Sequence, residues 1–191
     1  MSKIYVVMGK SSSGKDTIYK MLLSDKELNL KTITVYTTRP KREGEREGVE
    51  YHFVDEKKMM DLEALGKVVE RRSYDTVYGV WNYFTVDDEQ IDLKNNDYIV
   101  IGTLESYEKI RDYYGFSVVC PIYIEVDDGD RLIRAISREK EQDNPKYEEM
   151  CRRFLADSKD FSEERIKECN ITKRYKNVEL DECVKAIKKD L

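Results

Sequence analysis

Lys15 closes the core of a short run, Gly9-Lys10-Ser11-Ser12-Ser13-Gly14-Lys15-Asp16-Thr17, that gathers glycines, hydroxyls and ammonium groups into nine positions. Glycine lets a backbone come close to a ligand. If the run opens a helix, its first N–H groups converge where the helix dipole also favours negative charge. The chemistry that fits is retention of a phosphate chain, with Lys15 placed to reach the β- and γ-phosphates of a nucleoside triphosphate. The pattern GxxxxGK[ST] is met except at its last position, where Asp16 replaces a hydroxyl residue.

A second group of candidates carries fixed positive charge. In Thr38-Arg39-Pro40-Lys41-Arg42-Glu43-Gly44-Glu45 two arginines stand three apart in a stretch that Pro40 and Gly44 keep out of regular structure. Downstream, Arg131, Arg134 and Arg138 are spaced i, i+3, i+7, which places three guanidinium groups on one helix face, with Leu132, Ile133 and Ile136 on the other. Ser137 to Pro145 is charged and poor in core residues, as a closing segment would be, and Arg152 and Arg153 begin another basic patch beyond it. Such a set could neutralise charge developing on a transferring phosphate. Other chemistries find few residues to work with. His52 is the only histidine, and Cys120, Cys151, Cys169 and Cys183 show no CxxC spacing, so neither a zinc hydrolase, a histidine triad nor a disulfide framework is expected.

The elements that have to position these groups are legible in the hydrophobic pattern. Ile4 to Met8 is a strand running into the glycine loop, and Ile18, Met21 and Leu22 continue it as a helix. Thr32 to Thr37 reads as one further strand. From 36 to 87 the pattern predicts a small inserted lobe of short elements without a long buried strand, including strands near 49–54, 68–72 and 80–86 and a helix at 57–65. Tyr98 to Ile101 and Val118 to Val126 are nearly continuous apolar runs, as parallel strands covered on both faces should be. Helices at about 104–114, 129–138, 146–167 and 180–190 alternate with them. The expected fold is a doubly wound α/β domain over 1–191, with a parallel sheet of about five strands, the inserted lobe at 36–87 and a lid at 138–152.

Composition agrees with one soluble domain: 191 residues, 40% hydrophobic and 38% charged. The net charge of −5 argues against a nucleic-acid partner, for which a basic field is expected. The apolar run at the N-terminus is too short for a signal-peptide core or a membrane span, so a cytoplasmic protein without membrane association is expected. Oligomeric state is not readable from the sequence.

Taken with the phosphate loop upstream and the arginines downstream, the runs Thr37 to Glu45 and Gly48-Val49-Glu50-Tyr51-His52-Phe53-Val54 resemble the guanylate kinases, a branch of the P-loop nucleoside monophosphate kinases. The resemblance extends over nearly the whole chain, to a C-terminal strand-to-helix junction at Asn177 to Val184. It implies a P-loop kinase fold, ATP with Mg²⁺ as donor, and GMP or dGMP as acceptor. Residue by residue, it implies that Arg39, Arg42, Tyr51 and Tyr78 grip the acceptor phosphate. Glu70 falls where the family has a carboxylate facing the guanine edge, and Lys15, Arg134, Arg138 and Arg153 match its catalytic and lid cations. Arginine forks and tyrosine hydroxyls are suited to phosphate oxygens on chemical grounds as well.

Four positions depart from the family pattern. Val35, Val80 and Gly102 stand where the base-reading serine, hydroxyl residue and aspartate are usual, and Asp16 stands where a Mg²⁺-ligating hydroxyl is usual. A carboxylate at Asp16 is read as a metal contact, direct or through water, with Thr17 as substitute hydroxyl. The ending Gly-Lys-Asp also resembles ribose 1,5-bisphosphate phosphokinases and phage-type deoxynucleotide kinases. Two alternatives to a GMP kinase therefore stay open: a kinase of another phosphorylated acceptor, and a non-catalytic guanylate-kinase-like binding module.

Overall fold

The computed structural model describes residues 2–76 and 79–191. Its centre is β1 (Ile4–Met8), five apolar residues that are all buried. A strand buried on both faces needs parallel neighbours whose crossover helices cover it. Here β1 pairs in parallel with β7 (Tyr98–Ile101) on one side and β8 (Val119–Glu125) on the other. With β2 (Lys31–Thr32) and β9 (Arg174–Lys176) the sheet has five parallel strands in the order β2-β7-β1-β8-β9. One face is covered by α1 (Lys15–Ser24) and α7 (Leu180–Lys188), through Ile18, Leu22, Val184 and Ile187. The other is covered by α3 (Leu104–Tyr114) and α6 (Glu163–Glu168), through Tyr107, Ile110 and Ile166. The loop after β1 thus leaves the sheet at its carboxyl end, between strands whose connections run to opposite sides, where open α/β sheets bind ligands.

Residues 36–86 build a second sheet in the order β4-β3-β6-β5. It contains β3 (Tyr36–Thr37), β4 (His52–Phe53), β5 (Val68–Thr76) and β6 (Gly79–Val86). Helix α2 (Glu56–Ala64), capped by Asp55, covers one face with Met59 and Leu62 against Phe84 and Val86. Strands β5 and β6 form an antiparallel hairpin of nine and eight residues. The sequence pattern missed that length because Glu70, Arg71 and Arg72 interrupt the apolar alternation. A register shift between Val68 and Glu70 bulges the strand there, so that Val69 joins the main core while Val68 packs toward α2.

Two other expectations are corrected. The run 32–37 is not one strand: it splits into β2 and β3, which lie in different sheets. Ile33 stays in the main core, whereas Tyr36 stacks on Phe84 and His52. The crossing backbone at Thr34 loses its ladder, and Gln90 replaces it, its Oε1 accepting from Thr34 N at 2.7 Å and its Nε2 donating to Thr34 O at 3.3 Å. The expected helix 146–167 breaks into α5 (Tyr147–Asp160) and α6, because Phe161 turns inward to stack on Tyr123 and Ser162 caps the second helix. All four cysteines are free thiols.

Gly102, at the end of β7, sits where the chain has no room for a side chain: a Cβ would lie 2.6 Å from Ser106 Oγ and 2.7 Å from Val6 Cγ1. Overpacking of this kind costs about 1–3 kcal/mol. Gly102→Ala is therefore expected to lower the unfolding free energy by that amount, read as a lower denaturant midpoint at unchanged slope, and an unchanged midpoint would mean that the strand end has slack.

Candidate active site

The run Gly9 to Thr17 forms the turn from β1 into α1. Gly14 is the helix N-cap, with φ of 84°, and a Cβ on it would run into Asn177 Nδ2. No side chain caps this helix. Among the described residues the amides of Ser12, Gly14, Lys15, Asp16 and Thr17 meet no acceptor, and the buried Ser13 hydroxyl has no partner. The carbonyls, by contrast, are held. Asn177 Nδ2 donates to Ser13 O at 2.8 Å, and Arg131 Nη1 donates to Ser11 O at 3.0 Å. Asp157 Oδ2 accepts from Ser11 N at 2.6 Å. With its outer groups fixed, the loop is left with convergent free donors and the Lys15 ammonium, whose nearest carboxylate is Asp16 at 3.5 Å. That is an anion cradle.

Helix α4 (Asp128–Lys140) brings two of its spaced arginines, Arg131 and Arg138, to this loop and the third, Arg134, to Asn177, which braces it. Arg131 is 1% exposed and serves as a rivet, bonded to Asp128 at 2.7 Å and lying over the Phe154 ring at 4.7 Å. Burial pushes the Asp128 carboxyl up, but Arg131 and Lys10 together outweigh it and hold the group below its usual range. Arg134 donates to Asn177 O at 3.1 Å and Arg138 to Ser12 Oγ at 3.4 Å. Arg153, on α5, is not brought to the loop: it is exposed and makes no hydrogen bond or close ion pair among the described residues, while its neighbour Arg152 pairs with Glu149. A cavity of about 420 Å³ opens beside the loop, with Lys10, Glu125, Asp128, Arg131 and Asn177 among its walls.

The second sheet supplies the other candidates. Arg39 is buried in a two-pronged pair with Glu45, at 2.7 and 2.9 Å, and also donates to Pro40 O. Its guanidinium lies over Tyr51 at 5.3 Å and Phe53 at 5.6 Å. The Arg39 fork and the Arg42 amide hold the Glu45 carboxyl down to about 2. Arg42 itself is exposed, and its guanidinium has no partner among the described residues. Tyr51 is half-buried, and burial pushes its hydroxyl up. Glu70 is buried and accepts from Arg72 Nε at 3.0 Å, Arg72 Nη2 at 3.2 Å and Thr85 Oγ1 at 2.8 Å. Tyr78 lies outside the described residues.

None of Val35, Val80 and Gly102, the three departures expected to bear on base reading, offers a polar side chain. Val35 packs against the main core, Val80 is exposed, and Gly102 is walled in. Thr103, next to Gly102, uses its hydroxyl to cap α3. Asp16 and Thr17 are exposed at the cradle's edge. Among the described residues there is no cluster of three or more histidine, cysteine or carboxylate groups able to hold a metal. Mg²⁺ bound through phosphates and water needs only one or two protein oxygens, and an exposed carboxylate beside free amides fits that demand.

Several residues with a part in this geometry escape the sequence reading. Arg72 was findable, because residues two apart on a strand share a face and it follows Glu70 by two. Glu45 was findable as the nearest carboxylate to an arginine loop. Asp157 was not, since its role depends on how α5 packs.

The sequence profile described as guanylate kinase matches residues 1–189. Among curated relatives, the guanylate kinase of Nitrosomonas europaea is 34% identical over 94 residues, covering 47% of this chain and 46% of the relative. That of Porphyromonas gingivalis is 30% identical over 117 residues, covering 60% and 61%, and that of Schizosaccharomyces pombe 43% over 68 residues, covering 36% and 34%. The chain thus spans between a third and three fifths of the length of these relatives. The crystal structure of guanylate kinase from Anaplasma phagocytophilum superposes with a TM-score of 0.66 at 18% identity, covering 99% of this chain and 84% of that one, which is a likeness of fold. With the profile running from end to end over a phosphate loop and a five-stranded parallel sheet, the chain belongs to the guanylate kinase family.

Proposed function

We propose that this chain is an ATP-dependent nucleoside monophosphate kinase whose acceptor is GMP or dGMP. The observation that carries the reading is the cradle of five unbonded amides and a buried orphan hydroxyl around Lys15, in a family whose named relatives are kinases. In the proposed reaction an oxygen of the acceptor phosphate forms a bond to the γ-phosphorus as the bond to the bridging oxygen breaks, and ADP leaves with that electron pair. The acceptor oxygen is already nucleophilic, so the protein's work is in-line placement, exclusion of water and neutralisation of charge.

The roles follow from position. Gly9, Lys10, Ser11, Ser12, Ser13, Gly14, Asp16 and Thr17 hold the donor phosphates together with Lys15, which also neutralises charge as transfer proceeds. Arg138, bonded to the loop at Ser12, and Arg134, bonded to the loop's brace Asn177, face the transferring group. Arg153 is exposed and would join them only if the segment 138–152 closes as a lid. Mg²⁺, when bound with ATP, would screen phosphate charge, and Asp16 with Thr17 would hold it. The lobe at 36–87 takes the acceptor, with Arg42 gripping its phosphate while Arg39, Tyr51 and Glu70 shape the site; Tyr78 is assigned to the grip by the family resemblance alone.

The reading with ribose 1,5-bisphosphate as acceptor is favoured by the apolar Val35 and Val80 and by Gly102. Charge balance weighs against it. Glu45 pairs with Arg39 and Glu70 with Arg72, which leaves Arg42, among these three arginines, as the one whose guanidinium makes no ion pair with a described residue, a complement suited to one phosphate. A non-catalytic module would have no use for a cradle with free donors. No helix among the described residues is long and apolar enough to cross a membrane.

Lys15→Ala is expected to lower phosphoryl transfer by at least about 100-fold with an unchanged circular dichroism spectrum. Near-normal turnover would remove the loop from the reaction. For Arg42→Ala the acceptor KM should rise by about 10-fold or more while that for ATP stays put; an equal rise in both would mean the lobe does not hold the acceptor. Asp16→Ser should shift the Mg²⁺ concentration giving half-maximal rate, and a superimposable Mg²⁺ titration would deny Asp16 a metal contact.

A further inference from the structure

The antiparallel pairing of β5 and β6 places Glu70 opposite Thr85, Arg72 opposite Tyr83 and Tyr74 opposite Trp81. Directly paired residues share a face, so Glu70, Arg72 and Tyr83 lie side by side. Tyr51 and Tyr74 pack edge-on against Tyr83, which makes this the face that also carries Arg39 over Tyr51. It is the acceptor face of the proposed function. The Glu70 side chain is 0% exposed there, and its two oxygens take three hydrogen bonds from Arg72 and Thr85. A carboxylate so placed is neither accessible nor short of donors.

Arg72 is in the opposite condition. Its Nε and Nη2 are engaged side-on by Glu70, which leaves the other edge of the planar fork, Nη1 with the second hydrogen of Nη2. Nη1 has no partner among the described residues, it is not one of the buried orphan atoms, and the side chain is 14% exposed. Its charge is felt at Tyr51, on the acceptor side. Val35, Val80 and Gly102 bring no competing polar group, and Thr103 is spent on its cap.

We propose that Arg72, held side-on by Glu70, is the specificity-determining residue for the acceptor base, reading it through donors alone. This rests on the kinase reading above and deepens it. A donor-only fork matches a base edge with two adjacent acceptors, and in a purine nucleotide that edge is O6 with N7. Adenine presents an amino donor beside N7 and is repelled. The 2-amino group, which a free carboxylate would recognise, is left unread. The acceptor class is therefore the 6-oxopurine nucleoside monophosphates, with IMP accepted alongside GMP.

The test is a coupled ADP-release assay on the full chain with GMP, IMP, AMP and 2-aminopurine riboside monophosphate. The expected result is kcat/KM for IMP within about 10-fold of that for GMP, and both at least about 10-fold above AMP and the 2-aminopurine nucleotide, which lack the oxygen. GMP turned over with IMP rejected by about 100-fold or more would overturn the inference and return base reading to a carboxylate, leaving the kinase reading intact. Turnover of none of the four would overturn both. Arg72→Lys, which keeps a cation against Glu70, and the double variant Arg72→Met with Glu70→Gln, which leaves no buried charge unpaired, separate reading from folding. Both should compress the 6-oxo preference by about 10- to 100-fold without changing the ATP KM. A loss shared equally by all acceptors would mean that Arg72 only supports the strand.

Discussion

The peptide groups between β1 and α1 face a conflict that the surrounding structure has to resolve. A helix N-terminus leaves several N–H groups without intrahelical partners, and a loop could satisfy them by folding back on itself or by a side-chain cap. Neither happens here. Gly14 stands at the cap position and offers no oxygen, while the loop's carbonyls are pulled outward by Asn177 and Arg131. Those two braces come from the far end of the chain and from α4, so the cradle exists only when the whole sheet is assembled. Asn177 is held in turn by its amide to Glu125 O, and Arg131 by Asp128, Asp157 and Phe154. A local motif of nine residues is thereby kept open by contacts more than a hundred residues away.

The face of the second sheet that carries Tyr51 and Tyr83 obeys a different rule. It contains three arginines near one another, and like charges in a half-buried site repel unless something compensates. Two of the three are paired to carboxylates through both prongs or through one edge, which fixes the guanidinium planes and leaves chosen edges exposed. Pairing thus acts as orientation as much as neutralisation. Arg39 becomes a wall packed on Tyr51 and Phe53, Arg72 presents one edge, and the Arg42 guanidinium makes no ion pair among the described residues.

How much of this was legible follows from the range of the interactions. The strand, loop and helix at the N-terminus, the apolar β7 and β8, and the common face of Arg131, Arg134 and Arg138 are periodicities within a few residues, and all are found in the fold. The split of 32–37 between two sheets was hidden, because nothing in Ile33 to Val35 marks a change of partner; the mark is Gln90, more than fifty residues on. The hairpin was underestimated because charged residues on an inward face look like solvent exposure until their partners are known. Phe161, which breaks the expected long helix, reads as one more apolar residue in a helical pattern unless its stacking on Tyr123 is seen.

The crossing at Thr34 also bears on how the two sheets work together. The chain passes from the main sheet to the second at 33–35 and returns after Val86, and both passages are joined by side chains of the return segment. Gln90 binds both backbone groups of Thr34, and Asp88 takes the Tyr36 hydroxyl and a hydrogen from Gln90. Backbone ladders would have made this junction a continuous sheet, rigid in register and direction. Side-chain bonds instead satisfy the peptide groups while leaving each passage its own backbone path. Further along, the bulge at Val69 and Glu70 supplies another link, seating Val69 in the main core and turning Glu70 onto the face shared with Arg72 and Tyr83 in consecutive positions. The residue that anchors the second sheet and the residue that orients Arg72 are therefore neighbours in the chain, so the seating of the sheet and the orientation of the Arg72 fork are set by the same irregularity.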